Sequence, residues 1–418
     1  MKTDKILFFI VVLFVMTELT AFSQNRNVVW VHGFGGDDSA WQHYETIFSN
    51  ERQINSTRQS YNTTSGLTPA ANAVKNGFNS TAPTNLAIGH SMGGVMIREV
   101  DRTTASNDKR FGGFITVASP NYGAPISANV LNGNVNSFIV KATNDLTAGF
   151  IAQSFGMPWT IITDWTTQVV IDLLIGCSDF TSTTTNNDLK EGSTAMNTLN
   201  NFTSNAHRIS IIAEETSPVH WRLIGTMTFG AGSSFSNPGD AMMVSIANIL
   251  RNQYNSWYIA HQASAISNPL LFYHHQTCAI AYKKGKDWFD DSETVWCNLI
   301  KTTRTETITV NDLIWQPCLI RPGFPPPPPD CGEWVEYTYT YNVTKNYKSD
   351  GLLPTYAQEL KGATGGNRYV IDHANHMELK NMKYSTTANG QANDGTRVTL
   401  NTIFNRNPSQ DWFYTPQK

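Results

Sequence analysis

Charge is scarce in this chain. Of its 418 residues only 15% are Asp, Glu, Lys or Arg, against about a quarter in ordinary soluble domains. The two signs nearly cancel, to a formal net charge of -3. No broad cationic field exists, and nucleic acid is excluded as a natural partner. Long hydrophobic runs are missing as well. The apolar stretch Ile6 to Met16 is short of the roughly 18 residues that a membrane span needs. Lys2 and Lys5 precede it and Ala21-Phe22-Ser23 follows, a pattern that reads as an export leader cut after Ser23. The expectation is a secreted or periplasmic protein, residues 24 to 418, with no transmembrane anchor. No cysteine lies near that cut, which argues against a lipid-anchored form. The five cysteines, Cys177, Cys278, Cys297, Cys318 and Cys331, include no C-x-x-C, so structural zinc is not expected, while an oxidising compartment permits disulfides. No internal repeat of fixed period occurs.

Apolar residues are plentiful: 40% hydrophobic, 11% aromatic and eleven Trp, enough for a sizeable core. Their pattern is α/β. Val28 to Val31 reads as a short buried strand, glycines follow, and Asp38 or Ser39 then offers a cap for a helix through WQHYETIFSN. The helical stretch LTPAANAVKNGF leads into a strand at Asn85 to Ile88, and VMIREVDR leaves it as a helix. Phe114 to Ala118 supplies a further strand. Alternating strands and helices predict a mostly parallel sheet with helices on both faces.

Two excursions interrupt that rhythm. The first, about 121 to 205, holds SFGMPWTIITDW and TTQVVIDLLIGC, which suit a lid-like cover. The strand Arg208 to Glu215 follows. The second excursion, about 216 to 345, has a helix near AMMVSIANILRNQY and two period-2 segments, TRTETITVNDLIW and GEWVEYTYTYNV. Between these sits CLIRPGFPPPPPDC. The flanking strands could pair as a hairpin whose base is bridged by Cys318 and Cys331.

Chemistry concentrates in GHSMGG, Gly89 to Gly94. A strand enters and a helix leaves, so the turn forces Ser91 into a strained conformation with its hydroxyl raised, and the N-H of Met92 opens the helix behind it. About fifty residues earlier, His32-Gly33-Phe34-Gly35-Gly36 ends another strand, where the Phe34 N-H offers a second donor for a developing oxyanion. VVWVHGFGG, AIGHSMGG and ITVASPNYGAP together resemble the α/β-hydrolase superfamily, and more narrowly its secreted bacterial lipases and esterases. The resemblance is good over about residues 28 to 125, thins across 126 to 340 and resumes near the end.

That resemblance implies a Ser-His-Asp triad in the chain order nucleophile, acid, base. RYVIDHANHMELKN carries two late histidines. His376 fits the lipase [AV]-N-H-x-[ED] loop better than His373 does. Four carboxylates compete for the acid. Glu214 and Glu215 follow a strand directly, Asp240 precedes a helix, and Asp350 lies in KSDGLLP, similar to the lipase S-D-G-[LV]-[VL]-P turn. Asp394 follows the histidine and fails the order. Asp350 is preferred, with Glu215 next. Its 26-position lead on His376 leaves room for one helix and one strand. No metal or organic cofactor is implied, although scattered Asp and Asn leave a structural calcium ion open. The expected substrate is an ester or lipid, met at a lipid-water interface. Other acyl hydrolysis, including polyester cleavage, keeps every residue named here, and a catalytically silent binding module is the third reading.

Overall fold

The computed structural model describes residues 26–78, 84–104, 108–153, 182–229, 239–318, 325, 331–381, 395–408 and 411–418. The leader, the apolar segments between 154 and 181, Asp394 and most of the Pro-rich stretch lie outside the described residues.

Among the described residues six strands form the central sheet: β1 (Arg26–Val31), β2 (Ile54–Gln59), β3 (Leu86–His90), β4 (Gly113–Val117), β5 (His207–Glu214) and β8 (Arg368–Asp372). They lie in the order β2-β1-β3-β4-β5-β8, and every neighbouring pair is parallel. Strands buried on both faces need continuous apolar runs, and β1 shows why. Val28 and Trp30 pack with Tyr44 and Phe48 of helix α1 (Gln42–Glu51) and with Phe404 near the C-terminus. Val29 and Val31 turn to the other side, against Val74 of α2 (Leu67–Asn76) and Val95 of α3 (Met92–Thr103). The expected parallel sheet with helices on both faces is therefore present.

Local details differ from expectation. Neither Asp38 nor Ser39 caps α1, because a short 3-10 turn, Asp38–Trp41, precedes the helix, and it is this turn that Asp37 caps, its Oδ1 accepting from Ser39 N at 2.9 Å. The edge strand β2 was not anticipated: INSTRQ buries only Ile54 fully, so it carries no apolar run.

Beyond β5 the chain builds a separate helical layer. Helix α4 (Asn134–Gln153) from the first excursion joins α5 (Val219–Phe229), α6 (Gly239–Ser267) and α7 (Phe272–Leu299). Phe138, Trp221, Tyr254, Tyr282, Trp288 and Trp296 fill their shared core. The expected helix near AMMVSIANILRNQY is thus the start of a 29-residue helix, and its antiparallel mate α7 was not foreseen. The two period-2 segments do pair, as β6 (Thr303–Pro317) and β7 (Gly332–Asn346), in register from Thr303↔Asn346 to Pro317↔Gly332. The Cys318–Cys331 disulfide sits at the far end of this ribbon, not at its base. It closes the Pro-rich loop, because the strands run the full length from the helical layer to the two cysteines.

One buried group makes this layer acid-sensitive. His220 is buried in it, and its Nε2-H donates to Ser292 Oγ at 2.8 Å while the Ser292 hydroxyl donates to Phe289 O at 3.0 Å. Burial lowers the imidazole to about 3. The unfolded chain takes up a proton below about 6.5 and the folded one does not until about 3, so stability falls as pH drops through that window. Between pH 6.5 and 5 the loss is about 2 kcal/mol from this residue. Urea unfolding at the two pH values measures it. His220→Gln should shrink the pH dependence by about that amount, and an unchanged dependence would contradict the assignment.

Candidate active site

Four loops meet at the carboxyl ends of β1, β3, β5 and β8, where open parallel sheets place their ligands. The turn after β3 is the sharpest. Ser91 has φ 53 and ψ -128, a region that side chains other than glycine occupy only under strain. Its N-H donates to Val117 O at 2.9 Å, which pins the turn to β4. Gly93 is required there, since a Cβ at that position would lie 2.4 Å from the carbonyl oxygens of Val31 and His32. Met92, fully buried, is the first residue of α3, so its N-H has no carbonyl partner within the helix.

The loop after β1 presses against this turn. A Cβ on Gly33 would stand 2.8 Å from Ser91 Cβ, so only glycine lets the two approach. Gly36 N bonds Gly33 O at 3.2 Å, which makes Phe34 the second residue of a tight turn, half-buried against the α2/α3 layer. Tyr61 braces the loop, donating to His32 O at 2.7 Å and stacking on the His32 ring at 4.4 Å.

Asp350 and His376 come together. Asp350 is fully buried and His376 2% exposed. The His376 Nδ1-H donates to Asp350 Oδ2 at 2.7 Å, and His376 N donates to Asp350 O at 2.7 Å. The other carboxylate oxygen, Oδ1, accepts from Leu352 N at 2.9 Å and Leu353 N at 2.7 Å. This turn of the chain, with Gly351 at φ +91, is held by the helical layer: Trp296 Nε1 donates to Gly351 O at 2.7 Å. Among the described residues no hydrogen bond joins Ser91 Oγ to His376 Nε2; such contacts are commonly loose before substrate binds.

The remaining candidates fall elsewhere. Glu215 N bonds Ser349 O at 2.7 Å, which puts Glu215 beside Asp350, yet its carboxylate accepts from Thr216 N at 2.6 Å and lies 3.8 Å from Arg222. Glu214 pairs with Lys348 at 2.6 Å. His373, with φ 56, contacts Thr216 Oγ1 at 2.6 Å on the outside of the loop. Asp240 belongs to α6. The chain leaves the sheet at Glu214, builds the helical layer and the ribbon, and returns to the same strand end at Ser349. That detour is why an acid 136 positions after the end of β5 can sit at the β5 terminus.

One supporting residue had no sequence signal for its task. His90 is buried, and burial, followed by His376 and Lys380 nearby, holds its pKa well below the ordinary value. It is neutral, and its Nε2-H donates to the His376 carbonyl at 2.8 Å. The two rings lie 4.7 Å apart, which brings the Ser91 turn against the histidine loop. A parallel sheet, a strained serine between strand and helix, and a buried Asp-His pair two strands away complete one pattern.

The all-parallel sheet with helices on both faces matches the expected α/β-hydrolase fold class. Solved structures that match part of the chain include a metagenomic carboxyl esterase, at 12% identity over 48% of this chain and 53% of that one, with a TM-score of 0.28. A phospholipase from Legionella pneumophila matches at 15% identity over 46% and 40%, TM-score 0.27, and lipase 1 from Pelosinus fermentans at 14% over 47% and 70%, TM-score 0.29. The matches span about half the length of the first of these proteins and less of the second. Neither protein-family models nor curated proteins give any match to the chain. Among the described residues no helix is long and apolar enough to cross a membrane.

Proposed function

We propose that the chain is an exported serine hydrolase of carboxylic esters, a lipase acting on acylglycerols through Ser91, His376 and Asp350. The observation that carries this reading is the buried Asp350-His376 hydrogen bond of 2.7 Å on the loops that flank a strained serine. Asp350, its Oδ1 occupied by two backbone N-H groups, presents Oδ2 to Nδ1 and fixes the tautomer that leaves Nε2 bare toward the nucleophile. His376 takes the Ser91 proton as Oγ adds to the ester carbonyl. The N-H groups of Phe34 and Met92 receive the oxyanion, each worth about 3 to 4 kcal/mol in comparable hydrolases. The proton then passes from His376 to the leaving alkoxide, the acyl-enzyme forms, and water releases the acid by the reverse sequence.

The resemblance of the motif segments to secreted lipases favours an acyl substrate. An esterase or polyesterase uses the same residues with a different pocket, and a silent binding module lacks only turnover. A substrate series separates them. The lipase reading expects hydrolysis of both soluble short-chain esters and emulsified long-chain triglyceride. Turnover of the first without the second would restrict the protein to esterase chemistry, and turnover of neither would leave the binding module.

A further inference from the structure

Helices α6 and α7 form an antiparallel pair whose far end is both exposed and free of Asp, Glu, Lys and Arg. From Asn252 to Tyr282 the chain holds no Asp, Glu, Lys or Arg. A similar run, Phe111 to Val140, begins in the sheet and is buried through most of its first half, so it needs no further account. The helical run is exposed. Solvent-facing helix surfaces ordinarily carry charge, and here about 24 Å of α6 and about 16 Å of α7 carry none.

At the turn between the helices the surface becomes apolar. Leu270 is 96% exposed, Ile266 and Tyr273 each 83%, and Leu271 and Phe272 are also open to solvent. Going back from the tip, the first charges on α7 are Lys283 and Lys284, and on α6 the first is Arg251, which stands deeper, at the level of Asp290, its partner at 2.5 Å. Lys283 and Lys286 pair with Asp287 and Asp290 further along α7. Between tip and collar lie the half-buried Trp257 and Tyr258. An apolar point, an uncharged shaft with aromatics, and a collar whose leading charges are cationic match the layers of an anionic phospholipid surface: acyl chains, interface and phosphates.

We infer that this helical tip docks the protein on anionic phospholipid bilayers, with Ile266 and Leu270 to Tyr273 entering the acyl boundary. A second copy of the chain is a poorer fit. Five side chains at a pointed end offer roughly 500 Å² at most, below the roughly 800 Å² per partner of a stable interface. The inference stands apart from the hydrolase reading, because no residue of the tip belongs to the candidate active site.

The test is co-sedimentation of the chain from Gln24 to Lys418 with vesicles of phosphatidylcholine plus phosphatidylglycerol, and with phosphatidylcholine alone. Binding to the mixed vesicles is expected. Leu270→Asp/Leu271→Asp should weaken it about tenfold or more, and Lys283→Gln/Lys284→Gln should weaken it and flatten its salt dependence. Ser91→Ala should bind as the unaltered chain does, which separates this result from any failure of the hydrolase reading. Circular dichroism keeps misfolding apart from lost docking. The inference is overturned if the chain stays in the supernatant, if the double-Asp variant binds as well as the original, or if phosphatidylcholine alone binds equally. It is also overturned if ultracentrifugation finds a dimer that the double-Asp variant disperses.

Discussion

Ser91→Ala should lower kcat for ester hydrolysis by about 10⁴- to 10⁶-fold while leaving the fold in place. The residual rate over water would come from the oxyanion donors and substrate binding alone. Alanine keeps the Cβ that already fits against Gly33, so only one oxygen is removed and no contact is forced. The backbone adds a second expectation. At φ 53 and ψ -128 serine is strained, and the strain is worth about 1 kcal/mol or more. Ser91→Gly should therefore be equally inactive but more stable, by about 1 kcal/mol in urea unfolding. A structural serine on a glycine-rich connector would give neither the rate loss nor the opposite movement of activity and stability.

Asp350→Asn should cost about 10⁴-fold in kcat with little change in stability. The geometry explains the size. The side-chain oxygen of asparagine would keep the hydrogen bonds from Leu352 and Leu353 N, which turns the amide NH₂ toward His376 Nδ1. That nitrogen must then accept, the proton moves to Nε2, and the imidazole can no longer receive the Ser91 proton. Glu215→Gln is the paired control. Glu215 is held by Thr216 N and faces Arg222, so its loss should affect unfolding and leave kcat within about twofold. The opposite outcome, activity lost at Glu215 and kept at Asp350, would reassign the acid.

How much of this was legible depended on whether a signal was local. The strands β1, β3, β4 and β5 announce themselves because parallel strands buried on both faces must be apolar; β8, an edge strand that buries only Ile371, shows through the short apolar run Tyr369 to Ile371. β2 does not, because an edge strand with one half-solvated face tolerates INSTRQ. The long mate helix Phe272–Leu299 escaped notice because its exposed aromatics and missing charges blur the stripe that marks a surface helix. At the site, Ser91, Asp350 and His376 each stand in a turn whose glycine or strand end is visible in the sequence. Their supports are not. His90 reaches the His376 carbonyl across 286 positions and Trp296 reaches Gly351 from another layer; nothing local marks either. Likewise, the β5 end that Glu215 occupies in sequence is shared in space by Asp350, because the whole helical layer is inserted between them.

The claim at the centre is that Ser91 is a nucleophile activated by His376. A fluorophosphonate probe, followed by mass spectrometry of the labelled peptide, tests it most directly, since phosphonylation needs both an activated hydroxyl and a receptive oxyanion site. The account predicts a single adduct on the peptide that contains Ser91, absent in Ser91→Ala and formed far more slowly in His376→Ala and Asp350→Asn. Ester hydrolysis that persists with Ser91 unlabelled, or an adduct on another serine, would contradict it.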